Sequence, residues 1–307
     1  MIDRLIESIA EKKNPTVVGL DPTLEMMPKQ LRDKYIKSDS SDMSAAICEM
    51  FLEFNTDVID AIYPVVPAIK PQIAMYEKYG LHGIRAYDET CKYASEKGMT
   101  VIGDIKRGDI SSTAACYAAH IGGVKAGNDI VDTWHEDAVT VNPYMGSDGI
   151  KPFLTACKER CKGIFVLLKT SNPSSGELQE LILKDGRRVY EAMGELIADW
   201  GSELIGKYGY SEVGAVVGAT HVKQGEALRA ALPHTFFLVP GYGFQGADAE
   251  DVSGFFDKNG SGAVISSSRG ITAAWKKYTD GNELKYADCA LEAAERMRDD
   301  IAEFIKL

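Results

Sequence analysis

Three short stretches end apolar runs on charged side chains, and the types and spacing of those charges could do chemistry. Residues 101–110 read Val-Ile-Gly-Asp-Ile-Lys-Arg-Gly-Asp-Ile, which sets Asp104, Lys106 and Asp109 in an Asp-x-Lys-x-x-Asp pattern. Residues 66–71, Val-Pro-Ala-Ile-Lys-Pro, place Lys70 at the end of a second run, and residues 17–22, Val-Val-Gly-Leu-Asp-Pro, place Asp21 at the end of a third. Side chains of a strand alternate between two faces, so Asp104 and Lys106 are expected on the same one. A lysine held among carboxylates keeps its proton, because neighbouring negative charge favours the ammonium form, and it then acts as a general acid. Protonation of a carbanion is a reaction that such a group suits. An isolated Asp-x-Lys is more often a surface ion pair. Three consecutive runs ending in Asp, Lys and Asp-x-Lys weigh differently. Each buried charge costs several kcal/mol even after relaxation, so alternating signs make sense as a mutually compensated network.

Two later stretches have the composition of an anion site. Pro240-Gly241-Tyr242-Gly243-Phe244-Gln245-Gly246 follows one apolar run, and Ser266-Ser267-Ser268-Arg269-Gly270 follows the next. Glycines allow backbone N–H groups to approach a phosphate, and a guanidinium grips two of its oxygens at once. The glycines alone would be ordinary turns. With the arginine at the second stretch, Arg269 and Gln245 become the expected phosphate ligands.

The elements that must position these groups follow from the hydrophobic pattern. Apolar runs rich in β-branched residues recur at 16–20, 65–70, 100–104, 138–141, 163–168, 213–217, 236–239 and 263–266. Between them, 44–62, 83–97, 111–124, 189–207 and 284–305 carry apolar residues at helical spacing. Continuous apolar strands alternating with helices indicate a parallel sheet covered on its outer face. Eight such units predict an α/β fold with a single (β/α)8 barrel over residues 1–307, with a doubly wound open sheet as the alternative. Against the open sheet, Asp21-Pro22 follows the first strand where a Gly-x-Gly-x-x-Gly turn would stand. In a barrel, loops seven and eight are the usual phosphate site. The two longest insertions, 23–43 and 171–188, would lie on the same rim, and 171–188 is expected to close over the ligand.

Composition narrows the function classes. With 34 Lys and Arg against 45 Asp and Glu, the chain carries a net charge of −11, which argues against nucleic acid or an anionic membrane as partner. No run approaches the roughly 20 apolar residues of a membrane span, and the first residues read as an amphipathic helix, so a cytoplasmic protein is expected. The six scattered cysteines are read as reduced thiols, and no metal site is expected from them. His120, His135, His221 and His234 have no acidic partner at metal-ligand spacing, and His82 lies in a glycine-rich turn, so none is assigned a role. Met26 and Met27 are read as core or lid packing, and Gly-x-Ser-x-Gly is absent around Ser266 to Ser268.

Taken in chain order, the charged and glycine-rich segments resemble the orotidine 5′-monophosphate decarboxylase family. The matching pieces are Gly19-Leu20-Asp21, Ile69-Lys70, Asp104-Ile105-Lys106-Arg107-Gly108-Asp109-Ile110 with Thr113, Val239-Pro240-Gly241 with Gln245-Gly246, and Ser268-Arg269-Gly270. The insertions, and Lys-Thr-Ser-Asn-Pro at 169–173, are similar to those of its longer subtype. The resemblance implies a cofactor-free, metal-independent decarboxylation of orotidine 5′-monophosphate to UMP through a vinyl carbanion at C6. It implies that Lys106 delivers the proton, that Asp104 stands beside the departing carboxylate, and that Lys70 holds Asp104 and a ribose hydroxyl. Asp21 would contact the ribose, while Pro240, Gln245, Arg269 and Gly270 would lie at the phosphate end. The pyrimidine would meet the hydroxyl of Ser171 or of Thr170 beside it. Asp109, Ile110 and Thr113 would reach into the site of the second subunit of a homodimer. Two other readings compete: a metal-dependent sugar-phosphate aldolase or decarboxylase of the same barrel group, and a catalytically silent nucleotide-binding barrel. The first sits poorly with Lys70, and the second has no use for the Asp104 and Lys106 pair.

Overall fold

The computed structural model describes residues 1–38, 41–243, 246–277 and 285–306. Eight parallel strands are labelled β1 (Thr16–Leu20), β2 (Ala68–Pro71), β3 (Thr100–Arg107), β4 (Ala138–Val141), β5 (Gly163–Lys169), β6 (Val213–Val217), β7 (Phe237–Pro240) and β8 (Ala263–Ser267). They pair in chain order, and β8 pairs back onto β1, so the sheet is a closed barrel and not the open alternative. Helices including Met43–Ile62, Leu81–Glu96, Ser111–Gly122, Ser147–Arg160, Val189–Gly201, Val222–Ala231 and Tyr286–Ala302 follow the strands. Among the described residues no helix is long and apolar enough to cross a membrane.

Alternation along each strand separates two cores. Val17, Ala68, Ile102, Ala138, Phe165, Val216, Leu238 and Val264 fill the barrel interior, together with Ile2, Leu5 and Ile9 from the helix Ile2–Lys12. Their neighbours Val18, Ile69, Val101, Val139, Val166, Val217, Val239 and Ile265 pack outward against the helices. Slipping one strand by a residue would exchange the two sets. Both sets are apolar and buried, so the register is held by the fit of unlike side chains in each core and by the charged residues at the strand ends, which a slip would turn toward the helices. The same parity carries to the mouth: two residues beyond the inward Ala68, Ile102, Ala138 and Leu238 stand Lys70, Asp104, Thr140 and Pro240.

Two strands break the parity near their ends. Gly103 pairs with Val139 and Arg107 with Val141, so β3 spends four steps where β4 spends two. On β5 and β6, Leu167 pairs with Val216 and Lys169 with Val217, which leaves one extra residue. Bulges of this kind bend a strand and re-aim its side chains.

Several expected boundaries move. The run at 65–70 pairs only from Ala68, and the strand expected to end at 104 continues to Arg107. The helix expected over 111–124 stops at Gly122, because Gly123 turns to φ 71° and the chain enters a ribbon of Val124–Ala126 against Asp129–Val131. The helix expected over 189–207 ends at Gly201, whose carbonyl accepts a hydrogen bond from Ser211 Oγ at 2.8 Å. In the insertion 171–188, short turns at Pro173–Ser175 and Gly176–Gln179 are followed by a pairing of Ile182 with Arg188. Met26 and Met27 are buried, as packing residues would be.

Candidate active site

At the mouth, β2, β3 and β4 bring Lys70, Asp104 and Thr140 together. Lys70 Nζ lies 2.7 Å from Asp104 Oδ2, and both side chains are more than nine-tenths buried. Lys106 Nζ donates to the other carboxylate oxygen, Oδ1, which also accepts from Thr140 Oγ1 at 2.8 Å. Burial alone would push the Asp104 carboxyl up, but the ammonium groups of Lys70 and Lys106 outweigh it and hold it well below the usual carboxylate range. For Lys70, burial disfavours the charge, yet Asp104 and Asp21 leave the ammonium held above its ordinary value. Asp104 therefore stays ionised and Lys70 protonated.

Lys106 reaches this carboxylate by a route that the two-residue period does not describe. Its backbone has φ 45°, within the bulge, a left-handed conformation rare for residues other than glycine. Its N–H donates to Thr140 Oγ1 at 3.0 Å, which ties the unusual backbone to β4. The side chain remains 44% exposed, while Asp104 lies mostly buried at the cavity wall.

Asp21 continues the charged group on the β1 side. Its Oδ2 accepts from Ser268 Oγ at 2.6 Å, while Oδ1 is buried with no hydrogen-bond partner. A buried carboxylate oxygen is costly to leave unpaired, so it is a natural contact for a ligand hydroxyl. Gly19 is required here: a Cβ at this position would stand 1.8 Å from Ser268 Oγ.

A cavity of about 750 Å³ opens beside this charged corner, lined by Lys70, Asp104, Lys106, Thr170, Ser171 and Pro240, with apolar walls from Leu167, Val216 and Leu238 below. Thr170 and Ser171 differ in availability. Thr170 Oγ1 donates to Asn172 Oδ1 at 2.7 Å and accepts from Gln179 Nε2 at 2.7 Å, so its single proton is already used. The Ser171 hydroxyl makes no hydrogen bond among the described residues.

Other expected site residues stand apart from that corner. Arg269 is exposed at the start of the short helix Arg269–Thr272 after β8, with Gly270 half-buried behind it. Gly241, after β7, has φ 113°, a backbone open only to glycine in practice. Gln245 lies outside the described residues. Asp109 is half-buried, and its Oδ1 accepts its neighbour Ile110 N–H at 2.7 Å; Ile110 and Thr113 are exposed on the rim. Within one chain none of these three joins the Asp104 group.

Residues 15–282 match the sequence profile of the orotidine 5′-phosphate decarboxylase / HUMPS family. The chain belongs to this family. It is 42% identical to an orotidine 5′-phosphate decarboxylase of Clostridium tetani over 99% of both chains, and 43% identical to that of Petrotoga mobilis over 98% of both. Its structure is similar to that of an OMP decarboxylase of Leishmania donovani, with a TM-score of 0.65 and 27% identity over 96% of this chain and 99% of the other.

In this member of the decarboxylase family, several residues at the site were not found by sequence reasoning. Thr140 follows the inward parity of β4, and that parity was the available signal. Gln179 and His221 hold the β5 loop, with Thr170 N–H donating to Gln179 Oε1 at 3.0 Å and His221 Nε2 3.0 Å from the Thr170 carbonyl. His120 has an acidic partner that no metal-ligand spacing marks: its Nδ1 lies 2.8 Å from Glu136 Oε2, both side chains are buried, and Tyr87 donates to the other Glu136 oxygen. His82 likewise pairs with Asp42, at 3.0 Å. No three His, Cys, Asp or Glu side chains converge as a metal site among the described residues.

Proposed function

We propose that this chain, acting as one barrel unit in the cytoplasm, decarboxylates orotidine 5′-monophosphate to UMP and CO2 without a cofactor. The observation that carries the reading is the array of Lys70, Asp104 and Lys106 on one side of the cavity. The names of relatives 42% and 43% identical over nearly the whole chain support the substrate.

The substrate carboxylate lies against Asp104, which is kept ionised by its two lysines. Repulsion between the carboxylates falls as CO2 leaves, so this contact favours the transition state over the bound substrate. The bond from C6 to the carboxyl carbon breaks and its electron pair stays on C6. The ammonium of Lys106 stabilises that developing charge, transfers a proton to C6, and regains one from solvent. Lys70 fixes Asp104 and, with the unpaired oxygen of Asp21, meets the ribose hydroxyls. Ser171, whose hydroxyl is available, contacts the pyrimidine; Thr170 organises the loop. Arg269, Gln245, Pro240 and Gly270 form the phosphate end. Binding there supplies energy from a remote group for closing the site.

The functional unit in this reading is a homodimer with shared sites. Asp109 is half-buried and Ile110 and Thr113 are exposed, none of the three lines the cavity, and Tyr144 and Met145 are exposed as well. The direct test is loss of orotidylate ultraviolet absorbance on adding purified protein in excess EDTA. Unchanged absorbance, or turnover that the chelator abolishes, overturns the proposal.

A further inference from the structure

The segment 171–188 forms a wall of the cavity, yet Ser175 is its only buried residue. Leu178, Leu181 and Ile182, which could have anchored it, are exposed. Hydrophobic burial therefore does little to hold this wall on the barrel, and its attachment must be polar.

Lys169 provides it. By strand parity this residue would point into the barrel after Phe165 and Leu167. The extra residue in β5 instead pairs it with Val217, which faces outward, so its side chain runs under the segment. It is 1% exposed, with Nζ 3.0 Å from Glu180 Oε1, 3.2 Å from Ser175 Oγ and 5.8 Å from the centre of the Tyr190 ring. The other oxygen of Glu180 lies 3.3 Å from Arg188 Nε, at the far end of the segment. A buried ammonium stripped of its carboxylate is strongly disfavoured, so the segment cannot lift without a large penalty at Lys169.

We infer that Lys169 and Glu180 form an ionic latch that docks residues 171–188 on the barrel mouth and so acts as a positioning pair for Ser171. The consequence for catalysis rests on the reading of Ser171 as the pyrimidine contact; the docking itself does not. Lys169 touches neither the charged corner nor the cavity, so its effect on turnover passes through the segment and through Tyr190, which lines the cavity.

The test is amide hydrogen exchange on the full-length protein, with steady-state kinetics on orotidine 5′-monophosphate, for Glu180→Gln, Lys169→Met, the double variant and Ser171→Ala. Glu180→Gln is expected to speed exchange across 171–188 about tenfold while leaving the barrel strands unchanged. It should raise KM about tenfold with kcat altered less than about threefold, the pattern of lost uniform binding. With the buried charge removed by Lys169→Met, adding Glu180→Gln should change nothing further. Unaltered exchange in Glu180→Gln, or effects that add in full, would overturn the latch. Should Lys169→Met fail to fold, Glu180→Gln at its partly exposed position decides the matter by exchange alone. If Ser171→Ala leaves KM and kcat unchanged while Glu180→Gln still loosens the segment, the pyrimidine assignment fails and the latch stands.

Discussion

The hydroxyl of Thr140 lies 2.8 Å from Asp104 Oδ1 and donates to the oxygen that also receives the Lys106 ammonium, while its own oxygen accepts the Lys106 N–H at 3.0 Å. One side chain on β4 thus holds both the carboxylate and the strained backbone of its partner. Thr140→Val keeps the shape and removes both bonds. A hydrogen bond to a charged group is worth about 1.5–3 kcal/mol, so kcat/KM should fall roughly tenfold to a hundredfold. Wild-type kinetics in this variant would show that Thr140 is packing only.

Lys106→Ala removes the proton donor and leaves the phosphate end intact. Turnover should drop below detection while UMP binds within a few-fold of wild type, as followed by calorimetry. Measurable decarboxylation at the normal rate would refute the assigned role.

The ionised state of Asp104 has a signature in stability. Its folded pKa is depressed, so its contribution is present above the carboxyl range of the unfolded chain, about 4, and is lost as pH falls toward the folded value. Lys70 is shifted up, so its contribution is complete below the ordinary lysine range, about 10, and declines only as pH rises past it. The Tm difference between wild type and Asp104→Asn should be flat between about pH 5 and 8 and shrink below about pH 4. A difference that widens on acidification contradicts this linkage.

Arg269→Ala should reduce kcat/KM by about a hundredfold or more, since a charge-assisted bidentate grip is lost. Added phosphite dianion should restore part of the rate by filling the vacated anion site. No rescue at any phosphite concentration would count against Arg269 as the phosphate ligand.

Shared sites predict complementation. Asp109→Ala and Lys106→Ala proteins, each inactive, should regain activity when mixed, because a hybrid dimer contains one site with both residues intact. If mass spectrometry verifies subunit exchange and no activity returns, Asp109 acts within its own chain or not at all.

Much of the barrel was legible because hydrophobic burial repeats along the chain. Continuous apolar runs at 138–141 and 213–217 are strands with those same bounds, since a parallel strand buried on both faces leaves no other pattern. The ribbon at Val124–Ala126 and Asp129–Val131 was not legible: its residues are exposed, and no alternation marks it. The pairing of His120 with Glu136 joins residues sixteen apart across two elements, so no local spacing announces it.

Parity with period two is a property of a single strand, and it was enough to assign Lys70 and Asp104 to the mouth beyond the inward Ala68 and Ile102. Bulges depend on the neighbouring strand, because an extra residue exists only relative to the hydrogen bonds it interrupts. The left-handed backbone of Lys106, the outward turn of Lys169, and the engagement of the Thr170 hydroxyl, which donates to Asn172 and accepts from Gln179, were therefore decided by tertiary structure alone. The sequence by itself determined which charges gather at the barrel mouth; packing between strands decided how each is aimed and which hydroxyl remains available.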